Sequence, residues 1–75
     1  MLERIEMDSR VCGGKPVIKG TRIPVSVVLD QIAQGSAWDV ILKAYPELTR
    51  ADLQAALLYA KASIDMTDIV PTSMA

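Results

Sequence analysis

The sequence predicts a mainly α fold, a three-helix unit preceded by a small N-terminal β element, and three observations predict it. From Val25 onward the apolar period becomes helical, with Val25, Val28, Leu29 and Ile32 at i, i+3, i+4 and i+7. Thr49 and Asp52 stand three positions apart at the head of a second apolar-periodic run, the spacing of a helix N-terminal capping pair. The stretch GGKPVIKGTRIP, residues 13–24, sets three glycines, two prolines and three basic side chains into twelve positions. That is too much backbone punctuation for a helix and too much charge for a buried strand.

Each element follows in order. LERIEM, residues 2–7, predicts a short strand with Ile5 and Met7 on one face. Asp8-Ser9-Arg10 is turn-like. Residues 15–18 and 21–23 form two short arms around Lys19-Gly20, where Gly20 supplies the positive φ of a tight reversal. Pro16 and Pro24 have no N–H to give a ladder, which puts these arms at an edge. The β element thus covers residues 1–24. The first helix spans about 25–34 and closes on Gly35 as its C′ residue. A second, about 37–45, starts from Ser36 with Asp39, turns Ile41, Leu42 and Tyr45 to the core, and stops at Pro46. The third, about 49–63, is capped by Thr49 and Asp52 and stapled by Leu48 and Leu53. Leu53, Ala56, Leu57 and Ala60 carry its apolar stripe. Residues 1–63 make one domain, and 64–75 a tail that either frays or orders on a partner.

Size and composition exclude several function classes. A chain of 75 residues with 51% apolar side chains is one domain, neither disordered nor fibrous. So short a chain buries only about 60% of the surface its unfolded form exposes. There is one cysteine, Cys12, and no histidine, so neither a disulfide framework nor a histidine-bearing metal cluster can reinforce the core. Oligomerisation is the remaining device, and a homodimer is expected. The lone cysteine, the lack of a signal-peptide pattern in MLERIEMDSR and the lack of a run of ~20 apolar residues predict a soluble, cytoplasmic protein with no membrane partner. Charge is uneven. Residues 1–24 carry five basic and three acidic side chains (net +2), and residues 25–75 carry three and six (net −3). A mildly basic head on an acidic body is not a strong non-specific nucleic-acid binder.

Catalysis finds no footing. Gly13-Gly14-Lys15 is not a phosphate loop, because Lys15 precedes Pro16 and strand-like Val17-Ile18 where such a loop needs Ser or Thr and a helix. Without histidine there is no Ser-His or Cys-His pair. Cys12 beside Lys15 could be a reactive thiol, but a small buried hydrophobe is the plainer expectation. No enzyme and no cofactor are predicted. Trp38, in the first turn of a short helix, is expected to anchor packing or an oligomer contact, since base stacking would want aromatic companions. Val27 and Leu58 lie off the main stripes and suggest a second buried face.

Two short helices, the later one longer and well capped, read as a helix-turn-helix, in which the later helix enters the DNA major groove. Arg50, Gln54 and Lys61 fall on its outer face, and Arg and Gln suit guanine and adenine edges. The plainer reading is a small helical domain that binds no DNA, and Asp52 and Leu58 favour it.

The string VCGGKPVIKGTRIPVSVVLDQIAQG followed by ILKAYPELTRADLQAALLYA resembles the "domain of unknown function 433" family, from about Val11 to Ala60. Its most specific parts are Gly13-Gly14-Lys15-Pro16, Gly20-Thr21-Arg22-Ile23-Pro24, Tyr45-Pro46 with Leu48-Thr49, and Ala56-Leu57 through Tyr59-Ala60. The resemblance implies a homeodomain-like helix-turn-helix, often dimeric. It also implies an antitoxin that silences a PIN-like ribonuclease toxin and represses its own operon on double-stranded DNA. Arg50 and Gln54 would then contact bases, with Lys15, Lys19, Arg22 and Lys61 on phosphates. The alternative is a homodimeric protein-interaction module that binds no DNA. One departure from the family pattern is Ala37-Trp38, where a capping Ser or Thr followed by Pro is usual; Trp38 is then expected to face solvent or a neighbour.

Overall fold

A computed structural model describes residues 2–66 of the chain. A 3-10 turn, Leu2–Arg4, leads into β1, Ile5–Glu6, which pairs antiparallel with β2, Val17–Ile18, in the register Ile5↔Ile18 and Glu6↔Val17. The helices are α1, Val25–Ala33; α2, Trp38–Ala44; and α3, Arg50–Asp65. Three helices with a small two-stranded N-terminal sheet agree with the predicted fold class.

The β element departs from expectation in its pairing. The regular ladder joins β2 to residues 5–6, so the predicted 2–7 strand is shorter and begins as a 3-10 turn. Ile5 packs on the core while Met7 is exposed, so the two do not share a buried face. The second arm contributes a single bridge, Val17↔Pro24, and the bond from the Ile18 N–H to the Ile23 carbonyl at 3.0 Å. Pro24 has no N–H with which to extend it. Val17-Ile18 is therefore the middle segment rather than an edge, and both side chains are fully buried. Between the arms the Thr21 N–H donates to the Ile18 carbonyl at 3.0 Å, with Gly20 at φ +82°. Gly20→Ala meets open space but a strained backbone, so a loss of about 1–2 kcal/mol in urea unfolding is expected.

Helix ends follow local chemistry. Gly35 donates to Ile32 at 3.0 Å and Ser36 to Gln31 at 3.2 Å, the paired bonds of a Schellman motif that closes α1. Because the Ser36 backbone finishes α1, Ser36 does not cap α2. Ala37 is the N-cap of α2, with no side-chain bond, and the helix starts at Trp38. By contrast the predicted capping box of α3 is complete. Thr49 Oγ1 accepts from the Asp52 N–H at 3.3 Å and Asp52 Oδ2 accepts from the Thr49 N–H at 3.0 Å.

The core is Ile18, Val25, Val28, Ile41, Leu48, Leu53 and Ala56, with Ile5, Ile23, Leu29, Ile32, Trp38, Leu42, Tyr45 and Tyr59 packed against it. Trp38 thus joins the core rather than facing away from it. Leu57 does not join: burial on α3 runs through Asp52, Leu53, Ala55 and Ala56, leaving Leu57 and Leu58 on the flank at 38% and 36% exposure. Val27 is half-buried, so the suggested second buried face of Val27 and Leu58 is not closed within the chain. Helix α3 also runs two residues past the expected 63, so the start of the predicted tail is helical; residues 67–75 lie outside the described ones.

Candidate nucleic-acid interface

The capping box fixes where α3 starts and which way its face turns. At about 100° per residue, Arg50, Gln54 and Lys61 fall within a narrow arc on the side away from the core. All three are exposed. On one flank of this ridge stands the N-terminus of α2. There Arg50 Nη2 meets Asp39 Oδ1 at 2.5 Å, and the guanidinium lies 5.8 Å from the Trp38 ring centroid. The predicted base reader Arg50 is thus tethered to α2 by an exposed pair, a contact worth under about 1 kcal/mol. Lys61 is engaged along its own helix, with Asp65 Oδ2 at 2.6 Å.

The other flank is built by the N-terminal β element. Arg4 Nη1 donates to Asp52 Oδ1 at 2.9 Å. Arg4 and Gln54, with Ala51, Ala55 and Leu58, line a groove of about 260 Å³ beside the ridge. The Lys19 N–H donates to the Arg4 carbonyl at 2.7 Å, which seats the hairpin tip next to that groove. Lys15, Lys19 and Arg22 are all exposed and have no ion pair among the described residues. The structure therefore joins Gln54 to the hairpin side of α3 and sets Arg50 on the α2 side.

Arg10 is engaged within its own turn. It holds Asp8 through bonds of 3.1 and 2.9 Å, and the Arg10 guanidinium keeps the Asp8 carboxyl below its usual 3.8. Because the folded value is depressed, this contribution to stability is present above about pH 4 and lost as pH falls through the lowered folded value. A carboxyl NMR titration is expected to put the Asp8 midpoint below 3.8, and Arg10→Ala to raise it toward that value, with the backbone N–H of residue 10 still donating to the carboxylate.

The signature residues have structural work. Cys12, Gly13 and Gly14 take φ of +51°, +66° and +86° in succession, a left-handed turn closed by the Gly14 N–H on the Val11 carbonyl at 3.0 Å. That turn carries Cys12 outward, so the expectation of a buried small hydrophobe is corrected: the thiol is exposed and donates to the Arg22 carbonyl at 3.6 Å. The Pro16 carbonyl accepts from the Val25 N–H at 2.9 Å, and Pro24 is the N-cap of α1. Thr21 Oγ1 donates to the Ile18 carbonyl and accepts from the Ile23 N–H. Tyr45 packs on the core, and its carbonyl accepts from the Leu48 N–H at 2.9 Å across Pro46.

Sequence reasoning missed Arg4, Asp39 and the second role of Asp52. Arg4 and Asp52 are 48 positions apart, so no local pattern announces them. Among the described residues no group of three His, Cys, Asp or Glu side chains is placed to hold a metal ion, and no helix is long and apolar enough to cross a membrane.

The geometry defines a class: a mainly helical three-helix unit with a small two-stranded N-terminal sheet against the last helix. The chain belongs to the DUF433 family, whose model, described as a protein of unknown function, matches residues 5–60. A DUF433 member from Anabaena variabilis has a crystal structure that superposes with a TM-score of 0.76 at 37% identity, covering 83% of this chain and 61% of that one. The protein y4eO of Sinorhizobium fredii is 38% identical over 53 residues, which is 71% of this chain and 24% of that protein. A protein of Archaeoglobus fulgidus is 71% identical over 24 residues, 32% of this chain and 67% of its own length. The chain therefore spans about a quarter of the y4eO protein it matches.

Proposed function

We propose that this DUF433 protein is an antitoxin-like DNA-binding protein of the cytoplasm, without enzymatic activity. As a homodimer it represses its own operon and silences a PIN-like ribonuclease toxin. The observation that carries the DNA half is the outward face of α3, with exposed Arg50 and Gln54 in its first turns and the N-terminal β element packed against the helix, an element whose Lys15, Lys19 and Arg22 are exposed and unpaired among the described residues. Such cations clamp phosphates while the helix reads base edges. The protein half rests on the later turns of α3, where Leu57 and Ile64, two turns apart on one face, are exposed and offer an apolar patch to a partner.

Fluorescence anisotropy on a duplex from the upstream region tests it. With about three phosphate contacts per subunit, log affinity of the dimer falls with log salt at a slope near −5. Arg22→Ala, removing one contact per subunit, lowers the steepness by about 2. A slope near zero, or no binding in ~50 mM salt, sinks the DNA reading.

A homodimeric protein-interaction module is the second reading, favoured by the pairing of Arg50 with Asp39 and Lys61 with Asp65. Co-expression with a PIN-like nuclease encoded alongside separates the toxin role from it: failure to co-purify removes toxin neutralisation.

A further inference from the structure

We propose that the groove between the 3-10 turn at Leu2–Arg4 and α3 is the base-reading pocket of the DNA interface, and that Arg4, not Arg50, is its principal reader of guanine. The proposal rests on the DNA-binding reading above. Its basis is the difference in how the two arginines are held.

Arg4 is anchored on Asp52, whose side chain is only 9% exposed, while the Arg4 side chain is 48% exposed. Both oxygens of that carboxylate are committed, Oδ1 to Arg4 and Oδ2 to the Thr49 N–H that opens α3. The anchor therefore moves only if the first turn of α3 moves. Asp52 takes one donor at Nη1, and the planar fork has further N–H groups to present. Arg50 instead rests on Asp39, whose side chain is 84% exposed and belongs to another helix. A fork fixed on a buried carboxylate before binding loses less rotamer freedom when it meets a base than one held by an exposed carboxylate.

The surroundings match the chemistry of a major-groove edge. Arg4 suits the O6 and N7 acceptors of guanine, and Gln54 on the same groove suits adenine N6 and N7. Ala51, Ala55 and Leu58 form an apolar floor and wall, which fits the 5-methyl of thymine. Ala51, Gln54 and Leu58 lie at i, i+3 and i+7 in the first turns of α3, the part that contacts bases when such a helix docks. Lys19, bonded through its backbone to the Arg4 carbonyl, stands where the adjoining phosphates would pass.

The test is binding of the full chain to a panel of duplexes from its upstream region, each with one base pair changed, for the wild type, R4K, Q54A and A51L. The wild type is expected to lose about 10-fold or more at one G·C position. R4K keeps the charge and loses the fork, so it flattens discrimination at that position while other positions keep theirs. Q54A flattens a neighbouring A·T position. A51L fills the groove while leaving Arg4 and Asp52 themselves unsubstituted and weakens binding about 10-fold or more, so the proposal stays exposed if R4K folds poorly. Unchanged discrimination in R4K, equal weakening on every duplex, or full affinity in A51L overturns the pocket and leaves the DNA-binding reading standing. No binding of any duplex by the wild type overturns both.

Discussion

Replacing Leu53 by alanine is expected to lower the unfolding free energy by about 3–5 kcal/mol. Leu53 is fully buried and sits where α3 meets the cluster of Ile18, Val28, Ile41 and Leu48. Removing its side chain leaves a cavity that three short helices cannot close without shifting a cap or a turn. A domain of this length has about 4–11 kcal/mol in total, so the variant is partly unfolded at room temperature if the parent is at the lower end. Urea unfolding followed by far-UV circular dichroism measures the loss. Leu57→Ala is the matched control, one helical turn on but at 38% exposure, and is expected to cost under about 1 kcal/mol. Equal losses at the two positions would contradict the placement of the core.

Asp52→Ala comes next, at about 2–3 kcal/mol, or roughly 10–20 °C in melting temperature for a domain of this size. One carboxylate performs two tasks. Oδ2 satisfies the Thr49 N–H at the head of α3, a cap worth about 1 kcal/mol. Oδ1 ties down the N-terminal turn through Arg4, at a strength discounted for the half-exposed guanidinium. Asp52→Asn keeps an acceptor for one task and is expected to cost about half as much. Thermal melts of the two variants and of Arg4→Ala test the division: Asp52→Ala must exceed Arg4→Ala, because only the former loses the cap.

What the sequence showed and hid follows from the range of each interaction. The start of α3 was legible because its signals are local: Thr49 and Asp52 three apart, with Leu48 and Leu53 on either side. The end of α1 was legible from Gly35 for the same reason. The start of α2 was misplaced because Ser36 has two possible allegiances, and its N–H goes back to Gln31. The ladder of β1 with β2 was missed because Ile5↔Ile18 is a tertiary choice, whereas the reversal at Gly20 made the nearer pairing look sufficient. Cys12 was placed inside on composition, and the left-handed turn through Gly14 carries it out. At the candidate interface the outward placement of Arg50, Gln54 and the hairpin cations was legible from helical period and turn residues. The partners that restrain Arg50 and Lys61, and the groove that joins Arg4 to Gln54, required the fold.

Amide chemical-shift mapping shows whether the hairpin and the outward face of α3 together meet DNA. The isotope-labelled chain is titrated with its upstream duplex at low salt. Perturbations are expected to concentrate at Arg4, Lys15, Lys19, Arg22, Ala51, Gln54 and Leu58, with Asp30 in α1 and Gln34 at its C-cap silent. Perturbations confined to α1, or none at saturating duplex, would contradict DNA binding by these surfaces.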